Sequence, residues 1–275
     1  MGKKIRIGAL ISGGGTNLQA IIDSCESGKI DGKMVFVGSD NKNARGLERC
    51  IKHGIPTFVV DYEAIIKNFK KNPEKVTSPD DFDINDILSK QSFFVDDAES
   101  DKTKAFLITR AIAEAKILDE MKSYPFDLLV LAGFMRNLTP YFIDRVNTFP
   151  EKMRIMNIHP ALLPSFPGVD GYGDTFQYGC KVGGCTIHFI DYGEDSGPII
   201  GQKAFQIHPE DTIDTIREKG IKLEWELYPE CIQLFAQGRL KVVKKSYKLK
   251  NGKEVYRNVV KIRDSGFRGS GLPDG

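Results

Sequence analysis

Short apolar runs that alternate with segments of helical periodicity constrain the fold of this chain most strongly. We interpret residues 5–11, 34–37, 57–60, 126–133, 186–190 and 197–205 as strands, and residues 17–25, 44–53, 109–121 and 213–235 as helices. Strands buried on both faces give continuous apolar runs, and parallel strands need a crossover connection, which is usually a helix. The alternation therefore predicts an α/β fold, with a doubly wound, mostly parallel sheet and helices on both faces.

Two segments fall outside this alternation. Residues 62–104 are polar, contain two prolines and far exceed a usual connection of about 4–6 residues. We interpret them as an insertion that is either a surface excursion beside a ligand entrance or a packing loop. From residue 241 the sequence alternates around Asn251 and Gly252, which is a strong turn signal. This pattern predicts a C-terminal β-hairpin followed by a frayed tail that ends at residue 275.

Composition and charge exclude several classes of protein. The 275 residues, 41% hydrophobic and 28% charged, suit one large globular domain with appendages. With 39 basic and 37 acidic residues the net charge is only +2, so we expect neither a nucleic-acid partner nor an anionic membrane. Five scattered cysteines and the lack of zinc-site spacing predict a reducing compartment and no metal. Because the sequence has no membrane-spanning stretch and no room for a signal peptide, we expect a cytoplasmic protein.

The region around Asn157 and His159 indicates chemistry. These residues stand two apart at the end of an apolar run, so on a strand their side chains share one face. Prolines at positions 160, 164 and 167 forbid regular structure beyond them, which places the pair at the exit of the strand. Asp195 lies in a Gly/Pro-rich turn from which a carboxylate could reach the imidazole. An oxyanion donor, a base and an orienting acid suit acyl transfer, although a histidine beside proline is more often a packed loop residue.

A glycine-rich loop lies between the first strand and the first helix. Its sequence, SGGGTNL over residues 12–18, combines backbone N–H groups with a helix N-terminus, which together can cradle an anion. It lacks the Gly-Lys-Ser/Thr of a Walker loop, and Leu18 occupies the third glycine position of a dinucleotide-binding motif. The loop therefore favours a single phosphate over a pyrophosphate. A tight turn that needs positive φ is the alternative.

Four motifs together resemble the phosphoribosylglycinamide formyltransferase family. They are ISGGGTNLQAI (residues 11–21), LAGFMR (131–136), NIHPALLP (157–164) and DSGP (195–198), and they occur in family order between residues 4 and 242. The resemblance implies transfer of a formyl group from 10-formyltetrahydrofolate to the amino group of glycinamide ribonucleotide in purine biosynthesis, by a monomer or homodimer. It implies a formyltransferase domain over residues 1–240, followed by the hairpin and tail (241–275). Residues 1–125 would bind the ribonucleotide and carry the insertion, and residues 126–240 would hold the catalytic groups and the folate.

The resemblance also implies the roles of individual residues. The catalytic residues would be Asn157, His159 and Asp195, and the ribonucleotide would be bound by Gly15, Thr16, Asn17, Arg110 and Glu224. The folate would be bound by Arg136, Leu138, Phe189, Ile190 and Glu194. The insertion directly precedes Arg110, so we expect it to flank the ribonucleotide entrance unless it is only a packing loop.

One stretch departs from the family pattern. Many members carry histidine-x-histidine shortly after the Pro-Gly of the catalytic loop, whereas here Asp170 or Tyr172 is expected beside His159 instead. His188 alternates with apolar neighbours and is interpreted as structural. Three alternatives stay open: a deformylase that uses water, a transferase for another amine, and a non-enzymatic phosphate sensor. The glycine loop argues against water as the acceptor, and the intact catalytic set argues against a sensor.

Overall fold

The computed structural model describes residues 4–73, 77–92, 100–148 and 152–264, in which seven strands form one sheet. The strands are β1 (Ile5–Ile11), β2 (Gly32–Ser39), β3 (Thr57–Val59), β4 (Leu128–Leu131), β5 (Ile155–His159), β6 (Val182–Phe189) and β7 (Ile199–Gln206). Their order is β3-β2-β1-β4-β5-β6-β7, and only β6 runs against its neighbours. The predicted mostly parallel, doubly wound sheet is confirmed.

Helices cover both faces of this sheet. They are α1 (Thr16–Glu26), α2 (Gly46–Lys52), α3 (Tyr62–Lys71), α4 (Ile84–Lys90), α5 (Asp101–Met121), α6 (Pro140–Val146), α7 (Gly171–Gln177) and α8 (Ile213–Ala236). Successive side chains of a strand point to opposite faces, so alternate residues of β1 belong to two different apolar clusters. Ala9 packs with α1 and α8, whereas Leu10 packs with α5 and α6. None of the helices within the described ranges is both long and apolar enough to cross a membrane.

The strand order reverses between β1 and β4, and this reversal creates the crevice that holds the candidate site. β1 leads outward to β2 and β3, and the chain then returns to place β4 on the other side of β1. Two loops leave the carboxyl ends of β1 and β4 at this point and are joined, since Ser12 N–H donates to the Gly133 carbonyl and Ser12 Oγ accepts from Met135 N–H. In open α/β sheets ligands bind at such a switch point.

The described part of the segment 62–104 contains helices. It forms α3 and α4, and it starts α5 eight residues before the predicted start of that helix, at Asp101. Each helix begins at a polar cap, with Asp61, Asp83 and Ser100 accepting from backbone N–H groups of the first turn. The buried Ile87 of α4 packs in a small cluster with Leu107 of α5. Few apolar residues anchor the two short helices, since the buried residue of α3 is Tyr62 and that of α4 is Ile87.

The C-terminal hairpin is confirmed as a separate two-stranded sheet. Strands β8 (Leu240–Lys248) and β9 (Glu254–Ile262) pair antiparallel around Gly252, whose φ is 82°. Only the base of the hairpin reaches the core, where Leu240, Val242 and Val260 pack against the cluster that contains α1 and α8. The tail that we predicted to be frayed lies beyond residue 264, outside the described residues.

Candidate active site

A cleft of about 260 Å³ opens where β4 and β5 end. It brings together nine of the thirteen site residues expected from the sequence: Asn17, Arg136, Leu138, Asn157, His159, Ile190, Glu194, Asp195 and Glu224. The four that do not line it are Gly15, Thr16, Arg110 and Phe189. Residues from widely separated parts of the chain therefore converge on one cavity, as expected for a ligand site at a sheet switch point.

His159 and Asp195 form a buried pair at the centre of the cleft. Nδ1 of His159 lies 3.1 Å from Oδ2 of Asp195, and Nε2 lies 2.7 Å from the carbonyl oxygen of Phe166. The residue is 2% exposed, so bulk solvent does not compete for either contact. Both ring nitrogens face acceptors, and this geometry favours the imidazolium, which carries two N–H donors.

The surroundings move the pKa values of this pair apart. Burial is the largest single influence on His159 and lowers its pKa, but the hydrogen bond and charge of Asp195, with the Phe166 carbonyl, outweigh it and raise the pKa above 6.5. Burial raises the pKa of Asp195, yet hydrogen bonds from His159 and His188, the charge of His159 and the Gly168 N–H outweigh it and lower the pKa. The favoured state is therefore an imidazolium beside a carboxylate.

The turn that carries Asp195 is fixed by its own sequence. Asp195 adopts φ 48°, a left-handed conformation that aspartate tolerates better than most residues. Two residues later, a Cβ at Gly197 would collide with the carbonyl oxygen of Phe189, so only glycine fits this approach. The turn closes tightly on β6, and the carboxylate is thereby directed at His159.

His188 also belongs to this cluster, although the sequence led us to interpret it as structural. It lies opposite Asn157 in the β5–β6 register, with Nε2 3.3 Å from the Asn157 amide nitrogen and 3.5 Å from Oδ1 of Asp195. A protonated Nε2 would donate to the carboxylate, and an unprotonated one would accept from the amide. The antiparallel pairing of β6 with β5 brings His188 here, and the sequence alone carries no signal of that register.

Glu224 organises a second corner of the cleft. Its carboxylate accepts from Asn17 Nδ2 at 2.7 Å and from the Tyr172 hydroxyl at 2.6 Å, and the side chain is buried in α8. Tyr172 therefore contacts Glu224 and not His159, contrary to our expectation. Asp170 does not contact His159 either, because its side chain caps α7 and pairs with Arg217 at the surface. The Phe166 carbonyl occupies the place beside His159 that we assigned to these two residues.

The glycine loop packs closely against α2. Gly15 has φ 68° and directly precedes α1, and a Cβ there would lie 2.8 Å from the Cα of Gly46. Arg49 Nε donates to the Gly14 carbonyl, so Arg49 is the cation that contacts this loop. Among the described residues, no backbone or side-chain acceptor takes the N–H groups of Gly13, Gly14 or Gly15. These N–H groups remain available to an anion.

Arg110 and Arg136 share one aromatic ring. Their guanidinium carbons lie 5.2 Å and 5.5 Å from the centroid of Tyr62, which is buried at the start of α3. Arg136 is fixed by an ion pair with the buried Asp40 and lines the cleft. Arg110 is instead buried behind Tyr62, its Nε and Nη1 make no hydrogen bond within the described ranges, and burial lowers its pKa. Its guanidinium stacks on Tyr62 of the inserted segment and on Phe106 of α5, away from the glycine loop.

The inserted segment contacts the loop of residues 190–196 at the edge of the cleft. Ser92 N–H donates to the carbonyl oxygen of Tyr192 at 3.1 Å. Lys90 of α4 pairs with Asp144 at 2.9 Å, and the Tyr192 hydroxyl donates to the same carboxylate. The segment therefore supports the wall of the cleft from which Asp195 projects.

Comparison with known proteins assigns this arrangement to a family. A model of the formyl transferase domain matches residues 5–232. The chain is 35% identical to phosphoribosylglycinamide formyltransferase of Haemophilus influenzae, over 86% of the chain and 90% of that protein. The chain belongs to the phosphoribosylglycinamide formyltransferase family.

Two further relatives agree with this assignment. The phosphoribosylglycinamide formyltransferase of Escherichia coli is 32% identical over 86% of the chain and 90% of its own length. The crystal structure of glycinamide ribonucleotide transformylase 1 from Symbiobacterium toebii superimposes with a TM-score of 0.68 at 34% identity, covering 96% of both chains. The formyltransferase resemblance and the fold expected from the sequence are both confirmed.

We predict that Asp195→Asn lowers the pKa of His159. The substitution removes the hydrogen-bonding carboxylate and its charge, whereas burial of the imidazole, which disfavours the charged form, persists. The folded pKa of the wild-type imidazole lies above 6.5, so its protonation stabilises the fold fully below that pH, and this contribution is lost as the pH rises through the folded pKa. An NMR titration of the imidazole C–H resonances measures the pKa of His159 in the wild type and in the variant.

Glu194→Gln is the matched control for this titration. It removes a neighbouring carboxylate that lines the same cleft and has no contact with an imidazole. The pKa of His159 should stay at its wild-type value in this variant. Equal titration of His159 in the wild type and in Asp195→Asn would show that the ion pair does not set its protonation.

Proposed function

We propose that this cleft transfers a formyl group from 10-formyltetrahydrofolate to the amino group of glycinamide ribonucleotide. The supporting observation is that the Asn157/His159/Asp195 cluster lines one cleft together with Asn17 of the glycine loop, which contacts Glu224. The names of the relatives point to the same acceptor. Formyl transfer needs no metal, because the charge that develops can be met by an amide and an imidazolium.

The negative charge that develops during the reaction is stabilised by the Asn157/His159/Asp195 cluster. The acceptor amine attacks the formyl carbon, a C–N bond forms, and negative charge develops on the formyl oxygen until the bond to N10 of the folate breaks. Asn157 donates to this oxyanion, and protonated His159 stabilises it when Nε2 exchanges the neutral Phe166 carbonyl for the charged oxygen. Asp195 keeps the imidazole protonated, and the amine proton passes through water to the leaving N10 with this pair as the relay.

The acceptor would lie between the glycine loop and Glu224. The N–H groups of the loop meet the phosphate at the N-terminus of α1, beside Thr16 and Asn17. The Glu224 carboxylate, oriented by Asn17 and Tyr172, accepts from the ribose hydroxyls. Arg110, buried behind Tyr62, would contribute positive charge from a distance.

The folate would lie on the opposite side, against Arg136, Leu138 and the strand end at residues 189–194. The N–H groups of Phe189 and Ile190 already donate to the carbonyls of Pro198 and Ile155. His188 Nδ1 lies 2.9 Å from the Phe189 carbonyl, within hydrogen-bonding distance. The Ile190 carbonyl and the Glu194 side chain are thus the groups of this stretch best placed to bind the pterin.

Localisation, oligomeric state and domain organisation also belong to this proposal. We propose a cytoplasmic enzyme that acts as a monomer or homodimer, with its catalytic body in residues 1–240 and no nucleic acid in its reaction. The two halves at 1–125 and 126–240 meet at the strand reversal between β1 and β4, which supports this division.

The direct test mixes protein and 10-formyltetrahydrofolate with and without glycinamide ribonucleotide and follows release of tetrahydrofolate. We expect release only with the acceptor, and Asn157→Ala should lower turnover by about 10²–10³-fold because it removes an oxyanion donor. Equal release without acceptor would instead assign a deformylase. Formylation of another amine in preference to the ribonucleotide would assign a different transferase.

Gly15→Ala should raise the Michaelis constant for the ribonucleotide and leave that for the folate unchanged. A Cβ at this position meets Gly46 at 2.8 Å and forces the loop that would cradle the phosphate to shift. The control is Gly28→Ala, since Gly28 also has positive φ, 78°, but a Cβ there meets open space. Steady-state kinetics of both variants separate loop geometry from general backbone strain. An unchanged acceptor constant in Gly15→Ala would remove the loop from the site.

Tyr172→Phe should raise the ribonucleotide Michaelis constant by about tenfold with little change in that for the folate. It removes one of the two donors that orient the buried Glu224, and a hydrogen bond to a charged group is worth about 1.5–3 kcal/mol. Tyr178→Phe removes a hydroxyl from a tyrosine that is 81% exposed in the same region, and it should behave as wild type. A larger effect on the folate constant than on the acceptor constant would contradict this role for Tyr172.

A further inference from the structure

The C-terminal hairpin concentrates positive charge that the rest of the chain does not have. Of the 25 residues from Arg239 to Arg263, ten are lysine or arginine and only Glu254 is acidic. The other residues of the chain include 29 basic and 36 acidic side chains. The net charge of +2, from which we expected no nucleic-acid partner, therefore averages an acidic body and a strongly basic ribbon.

One face of this ribbon holds like charges directly opposite each other. The register pairs Lys241 with Lys261 and Lys245 with Arg257, and strand alternation puts both pairs on the same face. Directly opposed like charges destabilise a β-ribbon. In the described part of the chain no carboxylate lies within ion-pair distance of these four side chains, all of which are exposed. This arrangement does not stabilise the fold. It does suit an anionic partner.

Aromatic side chains accompany the cationic pairs. Tyr247 lies on the same face, two residues beyond Lys245, and is 44% exposed. On the other face Tyr256 is 55% exposed and lies beneath Lys244, whose Nζ is 4.7 Å from the ring centroid. Interleaved cations and exposed aromatic rings are the combination by which proteins bind single-stranded nucleic acid, through phosphate contacts and base stacking.

The length and attachment of the ribbon fit such a partner. Nine residues per strand at about 3.4 Å each extend about 30 Å, and only the base of the hairpin packs on the core. The tip, Lys248 to Lys253, contains one apolar residue, Leu249. An element that inserts into a membrane carries a larger apolar surface. The ribbon therefore matches a flexible polyanion that also offers rings to stack on.

The geometry points to the β8–β9 ribbon as a docking surface for single-stranded RNA, in contact with the face that carries Lys241, Lys245, Arg257 and Lys261. The inference does not depend on the proposed function, because it uses none of the residues that line the cleft of the candidate active site. The RNA backbone lies along the two cationic pairs, and a base stacks on Tyr247. The catalytic cleft stays accessible to its own ligands.

Fluorescence anisotropy of a labelled 20-nucleotide uridine RNA with the full chain, over a range of salt concentrations, tests this surface. We expect binding that weakens with salt. In Lys245→Gln/Arg257→Gln the slope of log K against log salt should fall by about 1.4, since each phosphate contact on a single strand contributes about 0.7. Tyr247→Ala should weaken binding with the slope unchanged, because it removes stacking and not charge.

Lys29→Gln/Lys33→Gln is the matched control, since it removes two exposed charges from the catalytic body and should bind RNA as the wild type does. The ribbon double variant should keep its melting temperature and its formyl-transfer activity, because it removes an unfavourable like-charge pair. Equal RNA binding by the double variant and the wild type would overturn the inference. Binding of phosphatidylserine vesicles without RNA binding, or self-association through the ribbon, would do the same.

Discussion

The buried ion pair between Asp195 and His159 is the interaction on which the rest of the site depends. Burying two charges is costly, and the loss is offset only where the remaining donors and acceptors are also satisfied. Here the Phe166 carbonyl, the Gly168 N–H and His188 complete the set. The loop after β5 and the turn before β7 must therefore close on each other. The prolines of the first loop and the glycine of the second serve that closure.

Helix α8 both packs on the sheet and positions Glu224 in the part of the cleft proposed to bind the acceptor. The fully buried Tyr228 hydroxyl contacts the carbonyl oxygen of Leu131, the last residue of β4, and that of Met156, the second residue of β5. Glu224 lies four residues earlier, and residues four apart lie on the same helix face. The contacts that hold α8 on the sheet thus also fix Glu224 beside Asn17. A shift of this helix would therefore displace Glu224 as well as the core residues that α8 contributes.

Much of the fold and of the site could be predicted from the sequence because local patterns encode them. Apolar periodicity predicted the sheet and helices α1, α2, α5 and α8, but not the short helices α3, α4, α6 and α7. The Asn157-x-His159 pair was correctly placed at a strand exit. Contacts between distant segments were not predictable in the same way. His188 reaches Asp195 through the register of β5 with β6, and Tyr172 reaches Glu224 across the gap between α7 and α8. Neither residue type nor spacing carries that information, and Arg49 was missed for the same reason.

The two segments that interrupt the regular alternation meet at one loop. Ser92 and Lys90 of the insertion contact Tyr192 and its partner Asp144. Lys241 and Lys244 of the hairpin line a cleft of about 760 Å³ together with Ser92, Asp144 and Tyr192. Polar contacts with the insertion thus anchor the loop at residues 190–196. Asp195 lies within this loop, so its aim at His159 depends on contacts far outside the motifs that the family shares. Changes in the insertion can therefore reach the catalytic pair without altering any residue that lines the active-site cleft.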